Sequence, residues 1–153
     1  MKYWDRKLIR EQLDQKLVNY KNLPPVAQET GWIKLIREAL GMSARQLGKK
    51  VGIDQSRISR LEAADTEGDL KLSSLKKIAE GLNMKFVYAF VPEESLEQTV
   101  QQQAEKIALK RLNRVSHSMM LEDQELSYSD KQSALETLKQ KIMINEPKDF
   151  WDQ

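Results

Sequence analysis

Cysteine is absent from the 153 residues. Its absence excludes disulfides and thiolate metal sites and fits a reducing cytoplasm. No apolar run approaches the roughly 20 residues that a membrane-crossing helix needs. The opening M-K-Y-W-D-R-K is not followed by the apolar stretch of a secretory signal. A cytoplasmic protein with no membrane partner is therefore expected. The six glycines are scattered singly, so no glycine-rich loop can cradle a nucleotide phosphate. The one histidine, His117, stands in a helical pattern five residues before Glu122, with no nucleophile, second base or ligand set around it. Residues 62–69 are rich in carboxylates but lack the glycine and glutamate spacing of a calcium loop. No cofactor, metal or catalytic residue is expected, and hence no enzyme.

With 40% hydrophobic and 31% charged residues, the chain should be globular. It is long enough for one domain, or for a small domain with an appended helical region. The net charge of +2 hides an uneven distribution. Residues 1–30 hold six basic and four acidic side chains, residues 31–91 eleven and seven, and residues 92–153 eight and twelve. Positive charge is thus concentrated in the middle, where contact with phosphates would depend on local rather than overall charge.

Residues 2–20 read as an amphipathic helix, with Trp4, Leu8, Leu13, Leu17 and Tyr20 on its apolar side and Asp5, Arg6, Glu11, Asp14 and Lys16 wet. Pro24 and Pro25 end it. Such a leading segment either packs on its own domain or a dimer mate, or acts as an arm toward a partner. Thr30 is placed to cap a helix over 31–40, with Trp32, Leu35, Ile36, Ala39 and Leu40 inward and Lys34, Arg37 and Glu38 outward. After the acidic loop 62–69, Leu72 to Leu82 reads as a helix with Ser73 or Ser74 capping and Leu75, Ile78, Ala79 and Leu82 apolar. Residues 84–91, M-K-F-V-Y-A-F-V, are β-branched and aromatic and predict a strand. A lone strand must find a partner for its backbone groups. Pairing with a second copy through Phe86, Val87, Tyr88 and Phe90 would give a two-fold dimer. From Ser95 to Met120 runs a long helical pattern, with Leu96, Val100, Ala104, Ile107, Leu112, Val115 and Met119 as its apolar stripe. Ser127 then starts a last helix carrying Leu135, Leu138, Ile142 and Met143 or Ile144. Phe150 and Trp151 follow, either tucked in or exposed as a docking hook.

The most informative stretch is residues 42–61, M-S-A-R-Q-L-G-K-K-V-G-I-D-Q-S-R-I-S-R-L. Ser43 can cap a first short helix in which Ala44, Leu47 and Val51 recur at helical spacing. Gly52 stands where a left-handed residue ends it. Ile53 plugs the turn, and Asp54 caps a second helix that sends Ile58 and Leu61 inward. That leaves Gln55, Ser56, Arg57, Ser59 and Arg60 outward. A helix offering Gln, Ser and Arg at its N-terminal end suits the major groove. Gln55, Ser56, Arg57 and Arg60 are the candidate base contacts, with Gln suited to adenine and Arg to guanine. Ser43, Arg45, Lys49 and Ser59 are the candidate phosphate contacts.

These residues resemble the Xre/Cro-like helix-turn-helix family, through the turn plug and the string I-D-Q-S-R-I-S-R-L-E at 53–62. The resemblance implies a mainly α fold: a lambda-repressor-like helical bundle, here with one short β-strand and appended C-terminal helices. The expected organisation is an N-terminal helix or arm over 1–25, a DNA-binding domain over 26–83, a dimerisation strand over 84–92 and a C-terminal helical region over 93–153. The chain is also similar to the bacterial group called mobile mystery protein A, through G-W-I-K-L-I-R-E-A-L-G-M-S-A-R-Q-L at 31–47, S-R-L-E at 59–62, F-V-Y-A-F-V-P at 86–92 and R-V-S-H-S-M-M-L-E-D-Q at 114–124. That likeness implies a regulator encoded beside a Fic-domain protein, with the logic of a toxin–antitoxin module. The S/T-x-x-x-E-G/N string by which some Fic enzymes are silenced is missing. Four residues before Glu67-Gly68 and Glu80-Gly81 stand Ala63 and Lys76.

The reading that follows is a dimeric, sequence-specific DNA-binding repressor of its own operon, acting on a palindromic double-stranded operator and serving as antitoxin to a Fic-domain partner. The alternative is a protein-binding, neutralising module that works through the C-terminal helices, with DNA binding secondary or lost.

Overall fold

The computed structural model describes residues 1–23, 31–121 and 127–153. Among them lie seven α-helices: α1 (Tyr3–Leu17), α2 (Trp32–Ala39), α3 (Ala44–Val51), α4 (Gln55–Glu67), α5 (Leu72–Gly81), α6 (Leu96–Leu121) and α7 (Tyr128–Asn145). One 3-10 turn, Val18–Tyr20, extends α1. The chain divides into two compact units, one of residues 23–89 and one of residues 1–22 with 90–153.

The unit of residues 23–89 holds α2 to α5 around Ile33, Leu47, Val51, Ile58, Ile78 and Leu82. Leu47 and Ile58 are fully buried, and burying each contributes about 1.5–3 kcal/mol. The inward face of α2 differs from the periodicity reading. Ile33 is its buried residue and Ile36 packs beside it, while Trp32 and Leu40 are exposed. Arg37, expected in solvent, is instead turned toward α4. The start of α2 is satisfied from a distance. Asp65 Oδ2 accepts the Ile33 N–H at 2.9 Å and Thr66 Oγ1 accepts that of Gly31 at 3.2 Å. The cap expected from Thr30 lies outside the described residues. Because Asp65 and Thr66 have this task, residues 62–67 are not a solvated loop: α4 continues to Glu67 and stops at left-handed Gly68. Helix α5 starts at Leu72, as expected, with Lys71 rather than Ser73 or Ser74 at its N-cap position.

The strand expected over 84–91 is not formed. No described residue from Lys85 to Val91 has a main-chain hydrogen bond, and residues 84–91 have no regular secondary structure. A ladder needs a second strand, and among the described residues none is present to supply it. Phe86 is half-buried, while Val87, Tyr88 and Phe90 are exposed.

The other unit packs α1, α6 and α7 around Tyr3, Val100, Ala104, Ile107, Ala108, Ile142, Met143 and Phe150. Helix α1 reverses the expected arrangement: Trp4, Leu8 and Leu13 are exposed, and its packed side is largely polar. Arg10 Nε donates to Glu97 Oε2 at 2.7 Å, and Arg6 pairs with Glu146. Asp14 accepts the N–H groups of Leu96 and Glu97 at 2.8 and 3.2 Å, adding to Ser95 as a remote cap of α6. Periodicity detects apolar faces only, so a helix docked by carboxylates and guanidinia escapes it. Helix α7 is capped by Ser127, whose Oγ accepts the Asp130 N–H at 3.2 Å. The terminal aromatics part company, with Phe150 buried and Trp151 exposed. Gln103 Nε2 holds that turn by donating to the Phe150 carbonyl at 2.6 Å.

Candidate nucleic-acid interface

The geometry of α3 and α4 is set by their ends. Ser43 Oγ accepts the Gln46 N–H at 3.2 Å, and Gln46 Oε1 accepts that of Ser43 at 2.7 Å. This reciprocal pair satisfies two of the free donors at the start of α3. At the other end Gly52 is left-handed, with φ of 81°, a conformation that costs a residue with a Cβ. The Gly48 carbonyl accepts the N–H groups of both Gly52 and Ile53, at 2.8 and 2.9 Å. Asp54 then opens α4, its Oδ1 accepting the Arg57 N–H at 2.8 Å. The turn is therefore closed by main-chain bonds on one side and a carboxylate cap on the other.

Packing draws the two helices close at Gly48. A Cβ there would strike the Ile53 carbonyl oxygen and come within 3.3 Å of Ile58 Cγ1. Leu47, Val51 and Ile58 meet beneath the turn, with Ile53 and Leu61 packed against them. The inward residues of α4 are fixed by this contact. A helix pinned on one side leaves its other side with a defined direction.

The outward side carries the candidate contacts. Gln55, Ser56, Arg57 and Arg60 are all exposed within the first two turns of α4. Arg45, Lys49 and Lys50 are exposed on α3. None of these five cations makes an ion pair among the described residues. The two serines proposed for phosphates are partly engaged. Ser43 Oγ serves the cap, and Ser59 Oγ donates to the Gln55 carbonyl at 3.2 Å. A serine hydroxyl in the first role can still donate its proton, whereas Ser59 must give up its bond to α4 to do so.

Three positioning residues escape sequence reading. Arg37 on α2 donates from Nε and Nη2 to the two carboxylate oxygens of Glu62, at 2.6 and 3.1 Å, and from Nη1 to the Met42 carbonyl at 2.9 Å. The hydrogen bond to Glu62 raises the guanidinium above its ordinary pKa; burial works against that rise, and the charges of Glu62 and Glu38 add to it. Asp65 ties the same two helices through the start of α2. The partners are 25 and 32 positions apart, so no local pattern reveals them.

Residues 33–88 match a family model described as helix-turn-helix. This part of the chain is an Xre-like helix-turn-helix domain. No curated protein and no solved structure matches the chain. The matched family is a DNA-binding regulatory one, and the match takes in α2 to α5 and the segment as far as Tyr88. The mainly helical fold expected from the sequence is present, without the strand. Among the described residues no helix is long and apolar enough to cross a membrane.

Proposed function

We propose that this protein is a sequence-specific, DNA-binding transcriptional regulator that acts as a homodimer on a two-fold operator, including that of its own gene. The observation that carries the reading is the exposed group Gln55, Ser56, Arg57 and Arg60 on α4, whose opposite side is locked by Ile58 and whose cations make no ion pair among the described residues. Gln and Arg can each make two hydrogen bonds to a base edge, Gln to adenine and Arg to guanine. Arg45 and Lys49 supply the phosphate contacts that set register, with Ser43 and Ser59 beside them.

The dimer is proposed through residues 84–91. From Lys85 to Val91 the backbone groups have no main-chain partners among the described residues, and Val87, Tyr88 and Phe90 are exposed. The rings of Phe86 and Tyr88 stack at 5.9 Å, consistent with side chains two apart sharing one side of an extended chain. The same segment of a second copy would satisfy both needs, and a two-fold axis would place two recognition helices on half-sites about 34 Å apart.

The deciding measurement is binding to DNA from upstream of its own gene, against a shuffled duplex. The wild type is expected to prefer the upstream DNA, and Arg57→Ala to lower specific affinity by about 1–3 kcal/mol while relaxing base choice at one position. Equal retention of both duplexes by the wild type would remove the proposal.

A further inference from the structure

Helix α7 turns Ile142 and Met143 into the core of its unit, with Leu135 packed beside them. On one flank of that packed side, Asp130, Ser133, Ala134, Thr137, Leu138 and Lys141 line a cavity of about 480 Å³. Their spacings of three, one, three, one and three keep all six along one flank of a helix. Leu112 of α6 supplies the other wall. Leu112, Ala134 and Leu138 are half-buried, while Asp130, Ser133, Thr137 and Lys141 are exposed. At 1.5 Å per residue the groove runs for about 16 Å from Asp130 to Lys141.

The charges of the groove decide what fits it. Asp130 stands at one end and Lys141 at the other. A second cavity of about 150 Å³ adjoins the Lys141 end, and Arg111 lines it together with Lys141. Asp130, Lys141 and Arg111 make no ion pair among the described residues. Lys131 and Lys148 of this unit are equally without one, but neither lines the groove. Asp130 Oδ2 accepts the Ser127 hydroxyl at 2.5 Å, and its other oxygen can take a further donor. An occupant must therefore bring a base to the Asp130 end and an acid to the Lys141 end. A second α7 laid antiparallel brings both. About a two-fold axis between positions 135 and 136, Asp130 of each copy faces Lys141 of the other, Ser133 faces Leu138 and Ala134 faces Thr137. The spacing of any helix face repeats about a centre. The exchange of acid for base across that centre is particular to this one. A parallel copy would set Asp130 against Asp130 and Lys141 against Lys141.

We propose that this flank of α7 is a self-complementary contact, against which the α7 of a second copy lies antiparallel. It is separate from residues 84–91 and of a weaker class. A patch about 16 Å long and one helix, roughly 10 Å, wide falls well short of the about 800 Å² per partner of a standard interface. Such a contact does not hold copies together in dilute solution. It acts where copies are already close, as when dimers stand side by side on one duplex. That consequence rests on the DNA-binding reading above; the contact itself does not.

The test needs no DNA. Full-length wild type, Lys141→Glu, Asp130→Lys and an equimolar mixture of the two variants are followed by sedimentation equilibrium from dilute to concentrated solution. The mean mass of the wild type is expected to rise with concentration. In each single variant like charges meet at both ends of the contact, and self-association should weaken at least about tenfold. In the mixture every meeting of positions 130 and 141 between unlike copies again joins acid to base, so the rise should return. A substitution that merely loosened α7 would not be rescued by a second damaged chain. The Asp130→Lys variant keeps the main-chain bond from position 130 to Ser127 Oγ, and thermal melting checks its fold. If its melting falls, Asp130→Asn takes its place, with partial recovery expected in the mixture. A wild type whose mass never rises leaves the groove to a helix of another protein and overturns the proposal. Single variants that associate as the wild type does, or a mixture no better than its components, overturn it as well.

Discussion

Arg37 and Glu62 face each other across α2 and α4 as a two-pronged pair, with Nε to Oε1 at 2.6 Å and Nη2 to Oε2 at 3.1 Å. Their side chains are only 13% and 12% exposed. The pair is part-buried, and either charge left alone would lose its main partner. Arg37→Met is therefore expected to destabilise the domain by about 1.5–3 kcal/mol, the range for hydrogen bonds to a charged group. Arg37→Met/Glu62→Leu should recover most of that loss, since an apolar pair has no orphaned charge. Urea unfolding of the two single variants and the double variant measures the coupling. Additive effects would show that the two residues do not stabilise each other. The sign of the pH dependence follows from the raised Arg37 pKa. Its stabilisation is fully present below the unfolded-state value and is lost only as pH climbs through the higher folded value. Deprotonation of Arg37 should therefore contribute no loss in neutral or mildly alkaline solution.

The close approach at Gly48 makes a second prediction. Space for a side chain is closed on one side by the Ile53 carbonyl, which belongs to the turn and cannot rotate away, and on another by Ile58. Gly48→Val should cost about 3 kcal/mol, at the upper end for overpacking a filled site. Because the same shift would tilt α4 relative to α3, DNA affinity should fall even in conditions where the variant stays folded. Denaturant unfolding followed by circular dichroism, and then DNA titration, checks both. A variant as stable as the wild type would show that α3 and α4 have slack between them.

How legible these features were depended on how local their causes are. Ser43, Gly52 and Asp54 act within four residues of themselves, and each stands where its capping or turn chemistry places it. Ile58 follows from helical spacing alone. The end of α4 did not, because Glu62, Asp65 and Thr66 look like loop residues until their partners on and before α2 are known. Helix α1 was misread for a related reason. Its apolar residues, Trp4 and Leu8, point outward, while Arg6, Arg10 and Asp14 make its contacts. The composition of residues 84–91 signals a strand, but a strand also requires a neighbour.

Lys49 separates phosphate contact from base contact. It is exposed on α3, makes no ion pair among the described residues and lies on the helix that precedes the recognition helix. A lysine that meets a phosphate adds affinity for every sequence alike. Lys49→Ala should therefore weaken binding to specific and shuffled DNA by the same factor and reduce the salt slope by about one. Arg57→Ala differs by also changing base preference. Binding measured at several salt concentrations with both duplexes distinguishes them. If Lys49→Ala alters specificity with no change in slope, its assignment to the backbone is wrong.

The proposed dimer turns on the main-chain groups from Lys85 to Val91, which have no main-chain partners among the described residues. Val87 is half exposed and its N–H has no main-chain acceptor among the described residues. If that N–H bonds across a two-fold axis, Val87→Pro removes a ladder donor, and the ring is tolerated only at an edge or a bulge. Within one chain the substitution disturbs little, since no main-chain hydrogen bond is lost. Val87→Pro should thus keep the helical circular dichroism and thermal transition of the domain while its light-scattering mass falls from two chains to one. Joining two half-site contacts raises avidity by about 10² to 10⁴ without adding a contact. The monomeric variant should therefore bind a two-fold operator at least about 100-fold more weakly, yet bind an isolated half-site as the wild type does. A Val87→Pro protein that remains a dimer rules out pairing through this segment.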